Sequence, residues 1–400
     1  MKKKLFGCAI LLGLGLALTS CSSSEEPKGS YTVKVYDFDG SMVGEKVLDI
    51  NKYPTLESGL KENFSVKSTG EGENLFITSI NNTMVDNNWY LAFYENNTMA
   101  SVGAGSAVVD DGDVFEFKNE CWNTTESGYG AFDSYDVLVD KVVYSYAKNK
   151  LQDKLKAYDS IGAIPYELLG IYMMQSNNYD ENFFNINGLA DAYKTAITST
   201  DVTTLTGASF AKWYFGARMI NTNLDAFKTA YTNYLDSVTA YNEWDEFTLP
   251  FTLTFAKGLN LESHVSSNVI NTEYLAGTSM GPDGLSWQIT GLAEYKTIEE
   301  SVLRNNLTKA ALDNSFLEDG KGVSLGIMLM AYAACNYNVR TADFADSKDV
   351  LEYLFDNYYD SQNNKFSIEG EGDVSSNQLY AALMAYKIQR DQKKAVNIFA

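Results

Sequence analysis

In the first third of the chain, apolar positions alternate with polar ones, which is the pattern of strands. Turn signals such as Asp39-Gly40 and Asn96-Asn97 separate the alternating runs, and a helical pattern at residues 56–62 interrupts them once. The pattern predicts a small, mostly-β domain over residues 31–120. Its predicted strands are residues 31–36, 43–50, 75–80, 89–94 and 114–117.

After residue 130 the apolar period changes to that of helices, starting at residues 137–157. Strongly apolar helical segments then alternate with amphipathic ones to the end of the sequence. The strongly apolar segments are residues 164–174, 205–220, 247–259, 285–295, 323–335 and 376–388. The amphipathic ones include residues 189–198, 224–238, 302–312 and 350–359.

This alternation of buried and half-buried helices is what a ring of helix hairpins requires, because an outer ring covers the inner one while itself facing water. Six inner and six outer helices close such a ring. We therefore predict an α+β multidomain protein, in which a linker at residues 121–136 joins the β domain to an (α/α)6 toroid at residues 137–400.

An internal repeat supports the ring. Three of the apolar segments end in similar motifs, and a loop rich in glycine and aspartate precedes each of them. Chance similarity of short apolar motifs is the alternative, but matching loops favour a true repeat. The motifs are LAEY at 292–295 and LMAY at 329–332 and 383–386, and the loops are residues 281–284, 319–322 and 370–373.

The first residues resemble the leader of a bacterial lipoprotein. Three lysines precede an apolar run at residues 5–18, and a lipobox-like motif ends at Cys21. Residues 1–20 are predicted to be removed, Cys21 to carry lipid, and residues 21–30 to form a flexible tether. The alternative is an uncleaved signal anchor. We expect an extracytoplasmic protein, lipid-anchored to the bacterial cell membrane.

Composition narrows the set of partners. The sequence has 31 basic and 52 acidic residues, a net charge of −21, which disfavours nucleic acid and anionic lipid surfaces. Of four cysteines, only Cys121 and Cys335 remain after the leader and the lipidation site, so no disulfide framework is expected. His264 is the only histidine; a surface position in its polar run is the favoured interpretation, and a functional role is the alternative.

The helical part resembles the α/α-toroid domain that prenyltransferases, terpenoid cyclases and the cobalamin carriers transcobalamin and intrinsic factor share. The supporting motifs are PYELL at 165–169, DGLSWQ at 283–288 and DVSSNQ at 373–378. The N-terminal part resembles the small β domain of those carriers, of the DUF4430 type. Its motifs are FITSI at 76–80, the pair Trp89-Tyr90, YEN at 94–96 and VDDGD at 109–113. The order of the two domains is the reverse of that in the animal carriers.

The motifs of the toroid enzymes are missing. The string at residues 110–113 differs from the Asp-x-Asp-Asp acid of class II cyclases and falls in the β domain. Neither the prenyltransferase zinc cluster nor a thioester motif is found, so we expect no catalytic residue, no metal and no required cofactor. A toroid-fold glycan hydrolase or lyase with paired carboxylates such as Asp245 and Glu246 is the less favoured alternative.

Binding is therefore the favoured activity. In a toroid, the N-termini of the inner helices meet at one rim, where backbone N–H groups and short polar side chains can contact a ligand. Helix capping explains Ser, Thr and Asn at such positions equally well, but it explains the two glutamines less well. The candidate rim residues are Thr206, Ser286, Gln288, Ser324, Ser375, Asn377 and Gln378.

The resemblance to the carriers implies that cobalamin or a related corrinoid is held between this rim and the β domain, under Trp89, Tyr90 and Tyr94. For Trp89 and Tyr94, a place in the core of the sheet is the alternative. The implied partners are a corrinoid-like small molecule, the membrane through the lipid anchor, and an uptake transporter. A surface adhesion protein that binds carbohydrate, peptide or protein is the other hypothesis.

Overall fold

The structure is a computed structural model that describes residues 29–128, 130–222, 224–239, 249–271, 281–313, 321–363, 365–368 and 373–400. The predicted leader, Cys21 and the acidic pair Asp245 and Glu246 lie outside these residues, as does the side chain of Ser375. Among the described residues, no helix is both long and apolar enough to cross a bilayer.

The N-terminal region is mostly β and contains one helix, as predicted. In the main sheet the strand order is β2-β1-β7-β5-β6; β1 and β7 are parallel, and the other neighbours are antiparallel. β3 and β4 form a separate antiparallel pair. The strands are β1 (Ser30–Tyr36), β2 (Met42–Asp49), β3 (Val66–Thr69), β4 (Phe76–Ile80), β5 (Trp89–Glu95), β6 (Thr98–Met99) and β7 (Val114–Cys121).

Local sequence explains how these strands connect. Asn96 and Asn97 form the two-residue turn between β5 and β6 with φ of 50° and 66°, a conformation that asparagine tolerates well. Helix α1 (Leu56–Asn63) begins with a capping box at Thr55 and packs on the sheet. A Cβ atom on Gly59 would lie 2.1 Å from the Tyr31 hydroxyl, so only glycine permits this close approach.

The rest of the described chain is helical, and the predicted helices are present. The pattern at residues 137–157, predicted as one helix, is two helices, because Lys150 has φ and ψ of −122° and −31°. The helices are α2 (Ser134–Asn149), α3 (Leu151–Ala157), α4 (Tyr166–Ser176), α5 (Asp191–Ser199), α6 (Ala208–Met219), α7 (Asp225–Ser237), α8 (Leu249–Gly258), α9 (Ser267–Ile270), α10 (Gly281–Leu292), α11 (Glu300–Leu312), α12 (Lys321–Cys335), α13 (Val350–Tyr358) and α14 (Asp373–Gln392). A short strand pair, β8 (Tyr359–Asp360) and β9 (Lys365–Phe366), follows α13.

Six largely buried helices contact one another in sequence order. α14 packs against α4 and α12, and α10 packs against α12 and α8. Phe215 of α6 lies 5.0 Å from Phe255 of α8, ring centre to ring centre, and Arg218 of α6 lies over Tyr172 of α4. The contacts therefore run from α4 through α6, α8, α10, α12 and α14, and return to α4.

Residues 396–399 fill the space among these helices. Phe399 is fully buried, and its ring contacts the rings of Tyr166, Phe215, Phe251 and Trp287, which belong to α4, α6, α8 and α10. The periodicity of the sequence does not predict this insertion, because the segment has no regular secondary structure.

Candidate functional site

A buried cluster of charges joins the β domain to the helices. Lys387 of α14 is fully buried, and its Nζ lies 2.9 Å from Asp86 in the loop before β5 and 2.8 Å from Asp140 of α2. Trp89, the first residue of β5, donates its indole N–H to the other oxygen of Asp140 at 2.8 Å. The hydroxyl of Tyr144 donates to Asp86 at 2.9 Å. We call Asp86, Asp140, Asp391, Lys387 and Arg390 the ionic joint.

Arg390 completes the ionic joint one turn after Lys387. Its Nη2 lies 2.6 Å from Asp140 and 2.9 Å from Asp391, and its guanidinium lies 3.8 Å from the ring centre of Phe132. Burial alone would raise the pKa of Asp140, but the charges of Arg390 and Lys387 outweigh burial and hold this pKa below its usual value. Asp140 therefore stays ionised inside the protein, where each cation compensates it.

Two further groups of ion pairs flank the ionic joint. Lys148, at the end of α2, lies 2.9 Å from Asp37 of the β domain. Arg340 contacts Asp133, the N-cap of α2, at 2.7 Å and Asp349, the N-cap of α13, at 2.5 Å. These contacts hold α2 between the β domain and the rest of the helices. We call this line of contact between the β domain and the helices the seam.

Three cavities lie at or near the seam, and two of them are lined by residues of both the β domain and the helices. One of about 640 Å³ lies beside Arg340 and Arg390, and one of about 700 Å³ lies between Asp86 and the end of α4. The third, of about 540 Å³, has Trp89 in its wall, and we call it the seam cavity. It is the least polar of the three, and its lining includes Phe38, Trp89, Asn119, Phe132, Leu138 and Lys141.

Asn119 of β7 stands out in the lining of the seam cavity. Its side chain is 6% exposed, and its Nδ2 donates to the carbonyl oxygen of Met84 at 2.8 Å. Its Oδ1 is buried and has no hydrogen-bond partner among the described residues. Burial raises the pKa of the Cys121 thiol, in the same lining, to about 11, which disfavours its thiolate form.

The three aromatic residues named from the sequence have different surroundings. Trp89 is buried in the seam. Tyr90 is 40% exposed on the opposite face of β5, and Tyr94, on that same face, donates its hydroxyl to Glu120 at 2.9 Å. Burial and the Glu120 carboxylate raise the pKa of Tyr94 to about 12. Glu120 also lines the seam cavity. Of the three aromatic residues, Trp89 therefore lines this cavity itself, and Tyr94 is linked to it through its hydrogen bond to Glu120.

The predicted rim residues differ in their place on the helices. Thr206 lies just before α6 and Ser324 in the first turn of α12, whereas Asn377 and Gln378 are the fifth and sixth residues of α14 and Ser286 and Gln288 lie in the middle of α10. Several of them are packed between helices. The hydroxyl of Ser286 donates to the carbonyl of Pro282 and accepts from the Asn306 amide. Gln378 is buried, with its Cγ close to Gly326 of α12. Gln288 and Ser324 are buried, Asn377 is half-buried, and Thr206 is exposed beside the capping turn of α6.

The structure does not bring the rim residues and the β domain together. Lys387, the α14 residue that contacts Asp86, follows Gln378 by nine positions, about 13 Å of helix. The β domain also contacts the chain just after α4, where Asp180 accepts the Val85 N–H. The described contacts thus lie toward the C-terminal ends of α4 and α14, whereas Asn377 and Gln378 lie in the first third of α14.

Sequence reasoning missed the cations of the ionic joint. Lys387 and Arg390 lie at positions of α14 where the helical period calls for apolar residues. Charged residues at such positions were the signal in the sequence that could have indicated buried ion pairs. His264 forms a surface pair with Asp236 at 2.8 Å. Within the described ranges, no group of three or more His, Cys, Asp or Glu is arranged to hold a metal ion.

Comparisons with known proteins identify one domain. Residues 54–120 match the family model named Domain of unknown function (DUF4430). A solved structure from Ruminococcus gnavus ATCC 29149, described as a "putative metal binding protein", is 25% identical over 23% of this chain and 97% of that chain, with a TM-score of 0.21. Comparison with curated proteins finds no significant match.

Proposed function

We propose that this protein is a lipid-anchored, extracytoplasmic binding protein that captures a corrinoid such as cobalamin at the seam. The lipid anchor at Cys21 belongs to the proposal and rests on the lipobox-like sequence. The observation that carries the proposal is the seam cavity, an aromatic-walled space of about 540 Å³ between two domains that charged contacts hold together. Ligand sites are typically cavities of this size with apolar walls and a few polar groups.

The helical architecture in the proposal is an (α/α)6 toroid. Support comes from the closed order of contacts among α4, α6, α8, α10, α12 and α14. Residues 396–399 occupy the middle of this set, so the proposal locates the ligand outside the ring.

A corrinoid is larger than the seam cavity, so we propose that one edge of the macrocycle enters it. The rest would lie over the surrounding surface. Trp89 and Phe132 offer flat apolar walls for that edge, and Thr124 and Lys141 offer polar groups. The edge of a corrinoid carries neutral amide side arms, which suit a cavity wall that combines aromatic rings with polar groups.

Co-elution with cobalamin tests the proposal. Residues 22–400, mixed with micromolar cobalamin and passed through a size-exclusion column, are expected to carry the visible absorbance of cobalamin in the protein peak. Bovine serum albumin at the same concentration serves as the control for non-specific retention. A protein peak without colour at these concentrations contradicts the proposal.

A surface interaction protein is the second candidate. Of the large apolar side chains that are well exposed among the described residues, all but Leu312 lie between residues 42 and 122. Val47, Phe76 and Val108 are the most exposed of these. Exposed apolar side chains concentrated in one domain favour a macromolecular partner for the β domain. Retention of a carbohydrate or peptide together with no retention of cobalamin would support this candidate.

A further inference from the structure

The predicted tether enters the β domain at the end opposite the seam. β1 and β7 are parallel and run away from that end, and Asp37 after β1 and Cys121 at the end of β7 both lie at the seam. The two strands have seven and eight residues, which is about 23–26 Å of extended chain. At their other end, Ser30 of β1 donates its N–H to Asp111 in the loop between β6 and β7 at 2.9 Å. We call this end of the β domain the tether end.

Well-exposed apolar side chains are concentrated at the tether end. Met99 lies in β6, and Val102 and Val108 lie in the loop between β6 and β7. Phe76 is the first residue of β4. The exposed fractions of these four side chains range from 45% for Val102 to 72% for Val108. We call Phe76, Met99, Val102 and Val108 the apolar tip.

Close packing of two turns brings Phe76 next to the loop between β6 and β7. Residues 72–74, just before β4, pack against residues 104–106 of this loop. A Cβ atom on Gly105 would lie 1.7 Å from the carbonyl oxygen of Gly72 and 2.9 Å from the Cβ of Leu75. The two parts of the apolar tip therefore lie side by side.

The proposed lipid anchor places the tether end near a bilayer. In the proposed function Cys21 carries the lipid, and residues 21–28 connect it to Gly29. Even a fully extended chain of this length spans at most about 29 Å. Exposed apolar patches mark contact sites for membranes or proteins, and the position of the tether favours the membrane for this patch.

Charge selects the type of lipid. Glu71, Glu73, Asp110 and Asp111 are exposed near the apolar tip, and the whole sequence has a net charge of −21. An anionic lipid surface repels these carboxylates. A zwitterionic headgroup such as that of phosphatidylethanolamine has an ammonium group, which carboxylates can contact while neighbouring apolar side chains enter the layer.

We propose that the apolar tip inserts into the headgroup region of a zwitterionic bilayer, so that the β domain stands on the membrane beside its lipid anchor. Insertion buries the four side chains, and the strength of such contacts scales with the apolar area that they bury. The seam cavity then lies at the far end of the sheet, away from the membrane. This inference rests on the proposed function for the anchor at Cys21, but not for the ligand.

Vesicle flotation of residues 22–400, which carry no lipid, tests the apolar tip by itself. At millimolar lipid, a measurable fraction of the wild type is expected to float with vesicles of phosphatidylethanolamine and phosphatidylcholine. Adding anionic phosphatidylglycerol to the vesicles is expected to reduce this fraction, because the acidic surface is repelled. A wild type that does not float with the zwitterionic vesicles would overturn the proposal and leave the apolar tip to a protein partner.

Variants assign the flotation to the apolar tip. Phe76→Ser combined with Val108→Ser removes its two most exposed side chains and is expected to lower the lipid partition coefficient about tenfold or more. Leu312→Ser is the matched control, because Leu312 is 79% exposed but belongs to α11, and it is expected to leave the coefficient unchanged. Circular dichroism confirms that each variant is folded. An unchanged coefficient in the double variant, or an equal loss in Leu312→Ser, would refute the proposal.

The anchor and the apolar tip fail separately. Membrane fractionation of the full-length protein and its Cys21→Ser variant tests the anchor, and flotation of residues 22–400 does not involve it. Flotation that depends on the apolar tip, together with unchanged fractionation of Cys21→Ser, would refute the anchor and support the membrane contact. Release of Cys21→Ser from the membrane without flotation of residues 22–400 would support the anchor and refute the membrane contact. Neither measurement involves cobalamin.

Discussion

Replacing Lys387 by methionine is expected to lower the free energy of unfolding by about 3–5 kcal/mol, because removal of one partner leaves buried carboxylates uncompensated. The ammonium lies within 2.9 Å of Asp86, Asp140 and Asp391. Burial opposes the charged form of Lys387, but Asp140 and Asp86 outweigh it and raise its pKa above the usual value. Without Lys387, Arg390 is the cation that remains in the ionic joint, and its ion pairs there are with Asp140 and Asp391.

Urea unfolding followed by circular dichroism measures the loss. Lys194→Met is the matched control, since Lys194 forms an exposed pair with Asp191 on α5, and it is expected to cost less than about 1 kcal/mol. Adding Asp86→Asn to Lys387→Met removes one uncompensated charge and is expected to recover part of the stability. A Lys387→Met protein as stable as Lys194→Met would show that the ionic joint does not hold the domains together.

Phe399→Ala is expected to cost about 3–5 kcal/mol of stability, the usual range for a phenylalanine deleted from a core. The Phe399 ring stacks on Trp287 with centres 5.7 Å apart and meets Phe251 edge-on at 4.5 Å. Asn397 fixes the same segment, because its Nδ2 donates to the Thr290 carbonyl and to Glu294, each at 3.0 Å. The Phe399 ring therefore packs in a fixed position among four helices.

Thermal and urea unfolding of Phe399→Ala and Phe399→Leu check this expectation. Leucine restores part of the volume, so its loss should be clearly smaller than that of alanine. If alanine costs less than about 1 kcal/mol, residues 396–399 do not fill the centre of the helical domain as described, and a ligand inside the ring becomes the better hypothesis.

The helices and strands were largely predictable because their signals are local. The apolar period marked α14 and its counterparts, and the asparagine pair at residues 96 and 97 marked the turn between β5 and β6. The break between α2 and α3 was not predictable, since Leu151 and Leu155 continue the apolar spacing across Lys150.

The candidate site was predicted only in part, because its geometry is tertiary. Trp89 was named as a ligand contact, and it does lie at the cavity between the domains. Lys387 and Asp140 are 247 positions apart, and no local pattern pairs them. Gln378 was expected at a helix start and is the sixth residue of α14. Which end of that helix faces the β domain depends on how the two domains dock, and no local pattern encodes it.

The most direct test of the account compares cobalamin binding by the wild type, Leu138→Trp and Gln378→Ala in equilibrium dialysis, after circular dichroism confirms that all three are folded. Leu138 is a half-buried residue of the seam cavity, and the larger tryptophan ring there would narrow the cavity where the ligand is proposed to enter. If the seam holds the ligand, Leu138→Trp loses binding and Gln378→Ala keeps it. Binding that survives in Leu138→Trp and is lost in Gln378→Ala would contradict the account and move the site to the rim.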